Sequence, residues 1–342
     1  ILYNTEHDAF GSGEKSRFVT QLEMMRPDII QKNIAPKVIP SKTELKEVSK
    51  NEATLERLKE LATKGISPSA LTNYLHNPIS FYKQKVLKIK EFDEVEETVA
   101  FNTLGTVVHE ALDELYRPFV GKFLSLTNVV NMQKIAKDLV IKHFKLQFKN
   151  GDLKTGKNRL IFEVANRFVA NFLSKEIDLL QDEKNQLKII ATEENLATEI
   201  TIEGIDFPIK LHGQVDRVDE LNGVLRIIDY KTGMVAATNL RVPEFENVRD
   251  EKHLKAIQVL LYAYLFTKNK KHDFSQPLEA GIYSFKNLHS GFLAIDFAPA
   301  RKAPDTNITS EKLDAFIEEL KKCILEIFTP TTGFIEPPDL RY

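Results

Sequence analysis

Two aspartates flank an Asn-Gly pair in the middle of the chain, and their spacing could hold a metal ion. The pair at 222–223 separates two alternating apolar runs, which predicts a β-hairpin with a two-residue type I′ turn. With that turn, Asp216 faces Asp229 across the hairpin, and Gln214 faces Lys231. Facing carboxylates have Cβ atoms about 5 Å apart and repel each other unless a cation neutralises them. The hairpin therefore predicts a metal site.

The neighbouring residues favour this metal site over a solvated hairpin face, the usual place for charged strand residues. Val218 and Ile227 share the face of the aspartates, whereas Val215 and Ile228 lie on the other face. A strand with apolar groups on both faces is typical of a buried position. A carboxylate buried there must be paired or bound to a metal.

The ligand types indicate which metal the site would hold. Carboxylate oxygens, with no cysteine near them, favour Mg²⁺ or Mn²⁺ over Zn²⁺. Such an ion keeps several waters and takes phosphate oxygens of a substrate. Lys231 beside it could orient or deprotonate a water for attack on a phosphodiester. The alternative is a lysine that only neutralises the two aspartates.

The composition is that of a globular protein from a reducing compartment. Of the 342 residues, 42% are hydrophobic and 28% are charged, which allows a large buried core. A single cysteine, Cys323, excludes an internal disulfide and favours the cytoplasm. No apolar run is long enough to span a membrane. The formal net charge of −2 neither requires nor excludes nucleic acid as a partner.

The periodicity of apolar residues predicts an α+β fold. Helical spacing dominates up to about residue 180, and strand alternation follows between 187 and 231. The predicted architecture is a largely antiparallel mixed central sheet flanked by helices. Helices are expected at about 52–62, 68–76, 103–116, 128–148, 158–180, 252–266 and 310–328, and strands at 188–193, 197–202, 209–219, 224–231, 280–285 and 291–296.

The hairpin and several further segments resemble one known family. That family is the PD-(D/E)xK nuclease superfamily, and within it the RecB/AddB-type nuclease domain. The resemblance covers roughly residues 67–342, with its motifs in the family's order. The matching segments are Gly-x-x-Asp-Arg-x-Asp at 213–219, Ile-Asp-Tyr-Lys-Thr-Gly at 228–233, Ser-Pro-Ser-Ala-Leu at 67–71 with Asn-Pro-Ile-Ser-Phe-Tyr at 77–82, Leu-Gly-Thr-Val-Val-His-Glu at 104–110, and Gln-x-x-x-Tyr at 258–262.

The resemblance implies a restriction-endonuclease-like core with a helical N-terminal part, and it implies roles for the matched residues. Taken alone, a histidine at the border of an apolar helical stripe is more often part of the core edge than a ligand. In the family pattern, it is a third protein ligand to Mg²⁺ or Mn²⁺. The implied sites are catalytic Asp216, Asp229 and Lys231; metal-binding His109, Asp216, Asp229 and the main-chain carbonyl of Tyr230; and substrate-binding Gln258 and Tyr262.

One departure from the family concerns an iron–sulfur cluster. AddB-type domains often carry a cysteine just before the proline of the opening helix and three more near the C-terminus. Here Asn77 precedes Pro78, and residues 339–342 contain no cysteine. We therefore expect no iron–sulfur cluster.

The residues before the matched region predict a division into three parts. Residues 1–25 resemble the end of a helicase-like region, residues 26–66 form a proline-containing linker and a helix, and residues 67–342 form the nuclease domain. The first residue is Ile1 rather than methionine, so we expect a piece of a longer protein. The partners that the resemblance implies are DNA and an ATP-dependent helicase subunit or domain.

These patterns predict a metal-dependent DNA nuclease, expected to be an exonuclease, that acts in double-strand-break repair and recombination within a larger helicase–nuclease. The alternative is a catalytically inactive DNA-binding or scaffold domain of the same fold. A third possibility is an enzyme that acts on RNA or nucleotides with the same metal site. The joint presence of two aspartates, a lysine and a histidine favours the nuclease. Lysines at 83, 85, 88 and 90 and at 142, 145 and 149 could line a DNA path, although most lysine runs are solvated faces.

Overall fold

A computed structural model describes residues 17–28, 46–89, 101–147 and 155–337. Most of the predicted helicase-like remnant and linker, two of the predicted path lysines (90 and 149), and residues 339–342 lie outside these ranges. The chain divides into two units, residues 1–44 and 45–342. In the first unit, the described residues form helix α1, Arg17–Met25.

The second unit contains the sheet and the other described helices. The helices are α2 (Glu52–Lys64), α3 (Pro68–His76), α4 (Pro78–Phe81), α5 (Phe101–Tyr116), α6 (Leu126–Gln147), α7 (Gly156–Gln181), α8 (Leu254–Lys270) and α9 (Ser310–Phe328). The strands are β1 (Glu47–Val48), β2 (Phe123–Leu124), β3 (Leu187–Ile200), β4 (Ile209–Leu221), β5 (Val224–Lys231), β6 (Leu278–Ser284), β7 (Leu293–Ala294) and β8 (Phe334–Ile335). Within the described ranges, every helix is too short or too polar to span a lipid bilayer.

Six of these strands form one mixed sheet in the order β2-β3-β4-β5-β6-β7. The β5–β6 pair is parallel, and the other four pairs of this sheet are antiparallel. Strands β1 and β8 form a separate two-stranded sheet. The predicted fold class, a largely antiparallel mixed sheet flanked by helices, is confirmed.

The turn between β4 and β5 is the one that the sequence predicts. Asn222 and Gly223 have φ angles of 53° and 85°, and positive φ at both central residues is the mark of a type I′ turn. Leu221 pairs with Val224, and the same register continues to the pair of Arg217 with Ile228. The hairpin register therefore follows from the two turn residues.

The segment 187–200 is one long strand, where the sequence predicts two strands at 188–193 and 197–202. Strand β3 pairs with β4 along its length, with a register shift between Ile189 and Ala191. Glu193 has a φ of 46°, an unusual value for a residue other than glycine. The polar residues around it break the alternation of side chains but not the pairing of the backbone, which explains the wrong division.

The sheet separates two hydrophobic cores. One core joins the sheet to α2, α3, α8 and α9, and the other joins it to α5, α6 and α7. Adjacent residues of β5 point to opposite sides, so that Ile227 belongs to the first core and Ile228 to the second. This explains why both faces of β5 are apolar. Cys323 on α9 is buried in the first core, as the stripe of its helix predicts.

A buried ionic network ties the hairpin to α7. The Arg217 guanidinium lies 2.6 Å from Glu176 Oε1 and 2.6 Å from Asp219 Oδ2. Arg226 pairs with Asp219 across the hairpin at 2.8 and 2.9 Å. The Tyr116 hydroxyl on α5 also donates to Glu176. Because the charges compensate one another, the core between the sheet and helices α5, α6 and α7 can contain them.

Candidate metal and catalytic site

Helix α5 brings His109 to the end of strand β5. The helix lies close to the segment after β5, since a Cβ atom at Gly105, one turn before His109, would lie 3.7 Å from Thr232 Oγ1. His109 Nε2 is 3.0 Å from the main-chain carbonyl oxygen of Tyr230. Two groups that the sequence predicts as metal ligands therefore lie side by side.

Asp216 lies between His109 and the backbone of β5. Its Oδ2 accepts a hydrogen bond from the Tyr230 N–H at 2.6 Å. Its Oδ1 lies 3.3 Å from His109 Nδ1, and the side chain is 10% exposed. One carboxylate oxygen thus holds β5, and the other remains beside the imidazole.

Glu193, which the sequence did not single out, lies in the same group. Its Oε1 is 4.0 Å from His109 Nδ1. One ligand atom from each of Glu193, His109 and Asp216 lies within 4.8 Å of the other two. Glu193 reaches this position because residues 192 and 194 of β3 pair with 217 and 215 of β4, so that it lies opposite Asp216. The structure therefore adds a carboxylate to the predicted metal-binding set.

Asp229 is almost fully buried at the end of β5 and is held by two donors. Lys231 Nζ lies 3.0 Å from its Oδ1 and 2.9 Å from its Oδ2. Gln258 Nε2 on α8 donates to Oδ1 at 3.1 Å and also lies 3.0 Å from the Tyr262 hydroxyl. The two residues predicted to bind substrate are thus connected to Asp229, which Gln258 contacts directly.

Tyr262 fits against strand β4 because residue 213 is a glycine. A Cβ atom at Gly213 would lie 2.8 Å from Tyr262 Cε1, closer than ordinary van der Waals contact allows. The glycine that opens the Gly-x-x-Asp motif therefore makes room for the tyrosine ring.

Two acidic groups of the site, Glu193 and Asp229, have pKa values above their usual range. Burial, followed by the charge of Asp216, raises the pKa of Glu193 to about 7. Burial raises the pKa of Asp229 to about 6, although the Lys231 ammonium acts in the opposite direction. Burial is the first cause in both cases, and the negative charge of Asp216 raises each pKa further, which is the situation that a bound cation relieves.

The two basic groups are held in their charged forms. Burial acts to lower the pKa of His109, but Asp216 and the other nearby carboxylates outweigh it and raise that pKa to about 9. Burial also opposes the charge of Lys231, and Asp229 and then Asp216 raise its pKa above the ordinary value. Without a bound cation, both side chains are therefore protonated at neutral pH.

The donor set fits a divalent cation that prefers oxygen. Carboxylate oxygens, one imidazole and one main-chain carbonyl oxygen converge within a few ångströms, and Mg²⁺ or Mn²⁺ accepts such ligands. A cleft of about 520 Å³ opens beside them, and its walls include Glu110 and Asp113 as well as Glu193. A water or a phosphate oxygen could enter from this side.

The predicted lysine path is partly neutralised. Lys142 Nζ lies 2.6 Å from Glu114 Oε1, and Lys88 Nζ lies 3.8 Å from Glu60 Oε2. Both lysines therefore already have acidic partners, in keeping with solvated surface charges.

Comparison with known proteins agrees with the resemblance seen in the sequence. The family model of the PD-(D/E)XK nuclease superfamily matches residues 65–337, which include every residue of the site. Three Streptococcus agalactiae proteins, from serotypes Ia, V and III, are similar to the chain, and each is named as a subunit of an ATP-dependent helicase/deoxyribonuclease. Each is 23% identical to the chain over 290 residues, covering 82% of this chain and 24% of the relative. The chain thus spans about a quarter of the length of these relatives. It belongs to the PD-(D/E)XK nuclease superfamily.

Proposed function

We propose that this chain is a metal-dependent deoxyribonuclease that hydrolyses phosphodiester bonds in DNA double-strand-break repair and recombination. One observation carries the proposal. Asp216 and His109 both contact the main chain of Tyr230, and the ion pair of Asp229 with Lys231 lies on either side of that residue in the chain. Helix α5 and strand β5, which are far apart in sequence, thus bring these charged groups to the same end of β5. A structural role alone gives no reason for so many charged groups to meet where the sheet opens to a cleft.

The relatives support the biological setting. Their name joins an ATP-dependent helicase to a deoxyribonuclease, and the chain matches about a quarter of their length. We infer that this chain acts on DNA with an ATP-dependent helicase subunit or domain, and that residues 67–342 form the nuclease domain. Exonuclease action, which needs a free DNA end, is part of the same proposal.

The proposed metal ligands are His109, Asp216, Asp229 and the Tyr230 carbonyl, and we add Glu193 to them. Mg²⁺ or Mn²⁺ bound there would polarise the scissile phosphate and lower the pKa of a water molecule. His109 would bind in its neutral form, so it must release its proton when a cation enters.

Lys231 would act as an ammonium group and not as a base. Its raised pKa keeps the proton on Nζ, so it can donate a hydrogen bond to the attacking water and offset negative charge on the phosphate. Asp229 and Gln258 would hold Lys231 and the neighbouring backbone in place. In the reaction, the water oxygen bonds to phosphorus, and the bond from phosphorus to the departing sugar oxygen breaks. The proton lost by the water is balanced by the one that the departing oxygen gains.

The test is incubation of the protein with linear and covalently closed circular DNA, in Mg²⁺, in Mn²⁺ or in chelator. We expect linear DNA to be degraded with either metal, chelator to abolish cleavage, and Lys231→Ala to lose it while Lys64→Ala on α2 keeps it. Degradation of closed circles would contradict the exonuclease assignment. Binding of DNA without cleavage in any metal would instead favour the inactive scaffold, and preferential cleavage of RNA would overturn the choice of substrate.

A further inference from the structure

A second lysine, Lys255, lies near the site at the start of α8. It lies in the first turn of α8, one helical turn before Gln258, which contacts Asp229. Its Nζ donates a hydrogen bond at 3.2 Å to the main-chain carbonyl of Met234, three residues after Lys231. Lys255 therefore faces the same end of β5 as the proposed catalytic groups.

The charge of Lys255 has no acidic partner. Among the described residues, no carboxylate lies within ion-pair distance of its ammonium group, whereas Lys231 is paired with Asp229. Burial, and then the charge of Lys231, lower the pKa of Lys255, so the two ammonium groups lie close enough to repel each other. Asp229 is the anion of Lys231 alone, so a second anion placed at Lys255 would reduce the repulsion between the two ammonium groups.

A merely solvated lysine would explain less of this geometry. Long lysine side chains commonly lie along apolar surface with a mobile head in water. Here the head group is attached to the backbone of the loop that follows the Asp-Tyr-Lys motif, which fixes its direction. The chain at 232–234 and the start of α8 are thus joined by this side chain.

The distribution of charge around the site also favours an anion at Lys255. The cleft next to His109 is lined by three carboxylates, those of Glu110, Asp113 and Glu193, and by two basic groups, His109 and Arg117. Arg117 is paired with Asp113, so without a bound cation the charge of this cleft does not favour a phosphate. Lys231 and Lys255 supply positive charge next to Asp229 instead. A nucleic-acid strand that passes over the start of α8 therefore meets positive charge there.

We propose that Lys255, together with Lys231, binds a backbone phosphate of the nucleic-acid substrate next to the phosphate that is cleaved. This inference rests on the proposed nuclease function and adds a substrate-binding residue to it. Lysine suits the task because its ammonium is a compact point charge that neutralises a phosphate without reading the base. Lys255 would contribute to the affinity for DNA and leave the chemical step to the other residues.

The test compares Lys255→Gln with Lys268→Gln, a matched change on the same helix at a lysine that lies over the Tyr264 ring. Binding of a single-stranded DNA oligonucleotide is measured in Ca²⁺ at several salt concentrations, and cleavage is measured in Mg²⁺. We expect Lys255→Gln to raise Kd and KM about five- to tenfold and to lower the slope of log Kd against log salt by about 0.7, with kcat within about twofold. Lys255→Arg should restore the salt slope, and Lys268→Gln should match the unsubstituted protein.

The outcomes of binding and cleavage separate the two proposals. Equal Kd values and salt slopes for Lys255→Gln and Lys268→Gln would overturn the phosphate contact, whether or not the protein cleaves DNA. A loss of kcat with an unchanged salt slope would also overturn it, as would a protein that binds no DNA. A weakened, less salt-dependent complex in a protein that never cleaves DNA would support the contact and refute the nuclease.

Discussion

The backbone N–H of Tyr230 donates a hydrogen bond to Oδ2 of Asp216 at 2.6 Å, while the carbonyl of the same residue lies 3.0 Å from His109 Nε2. One peptide segment of β5 thus contacts both the aspartate and the histidine. The two oxygens of Asp216 accordingly differ, since Oδ2 fixes the backbone and Oδ1 lies beside His109, where we propose a cation.

Removal of the charge of Asp216 should therefore abolish catalysis without disrupting the hairpin. In Asp216→Asn, the amide oxygen can still accept from the Tyr230 N–H, but the negative charge is lost. We expect cleavage to fall at least about 10²-fold, with an unchanged thermal midpoint. Rates of DNA cleavage and calorimetric scans check this, with Asp206→Asn in an exposed loop as the control. A rate within threefold of the unsubstituted protein would show that Asp216 is not a ligand.

Glu193→Gln should weaken cation binding. If Glu193 supplies a ligand atom beside His109 and Asp216, the neutral amide should cost about tenfold or more in affinity for Mn²⁺. Titration calorimetry measures this, and Glu199→Gln is the matched control because Glu199 lies on the same strand, away from the site. Equal affinities for the two variants would remove Glu193 from the proposed ligand set.

Cation binding should become tighter as the pH rises. The imidazole of His109 must be neutral to bind a metal, and its pKa of about 9 means that a proton must leave at any lower pH. The apparent affinity for Mn²⁺ should therefore increase by up to about tenfold per pH unit between pH 7 and 9. Calorimetry in two buffers with different heats of ionisation should detect the released proton, and His109→Gln should flatten the dependence. An affinity that falls with rising pH would contradict the assignment.

Glu176→Gln should destabilise the fold more than most surface changes. Glu176 and Arg217 are 5% and 1% exposed, and the change leaves a buried guanidinium with less compensating charge. Removing one partner of a buried ion pair lowers the free energy of unfolding by about 3–5 kcal/mol. Urea denaturation measures this, with the exposed Glu163→Gln on the same helix as the control. The double change Glu176→Leu, Arg217→Met should recover part of the loss; a single change that costs nothing would disprove the role of the pair.

Gly213→Ala should move the Tyr262 ring and reduce activity. The added methyl group would lie 2.8 Å from Tyr262 Cε1, so the ring and the hydroxyl beside Gln258 must shift. We expect cleavage to fall about tenfold, because small displacements of positioning groups lower rates strongly. Gly105→Ala is the matched control, since its methyl group would make only an ordinary contact at 3.7 Å. Equal activity of the two variants would show that the position of Tyr262 does not matter.

The parts of the fold that local sequence determines were predictable. The Asn-Gly turn sets the register from Leu221 and Val224 to Arg217 and Ile228, because a two-residue turn leaves no freedom in pairing. Helix starts were also readable, as when the Ser67 side chain accepts from the Ala70 N–H and caps α3.

Glu193 could not be found in the same way. Strands β3 and β4 are joined by residues 201–208, and a connection of that length does not fix the register between them. The register that starts with Ile200 and Ile209 runs without a shift past Glu193, so the starting pair is what the sequence does not reveal. The contact of Gln258 with Asp229 was likewise implied by the family resemblance and not by local pattern.

The placement of the site between two cores has a consequence for when it exists. Helix α5 with His109 belongs to one core, and α8 with Gln258 belongs to the other, while the sheet between them carries Asp216 and Asp229. Neither core alone brings these four side chains together. A newly made or damaged copy in which the packing of either core is incomplete lacks the site, so the proposed nuclease activity requires a completely folded chain.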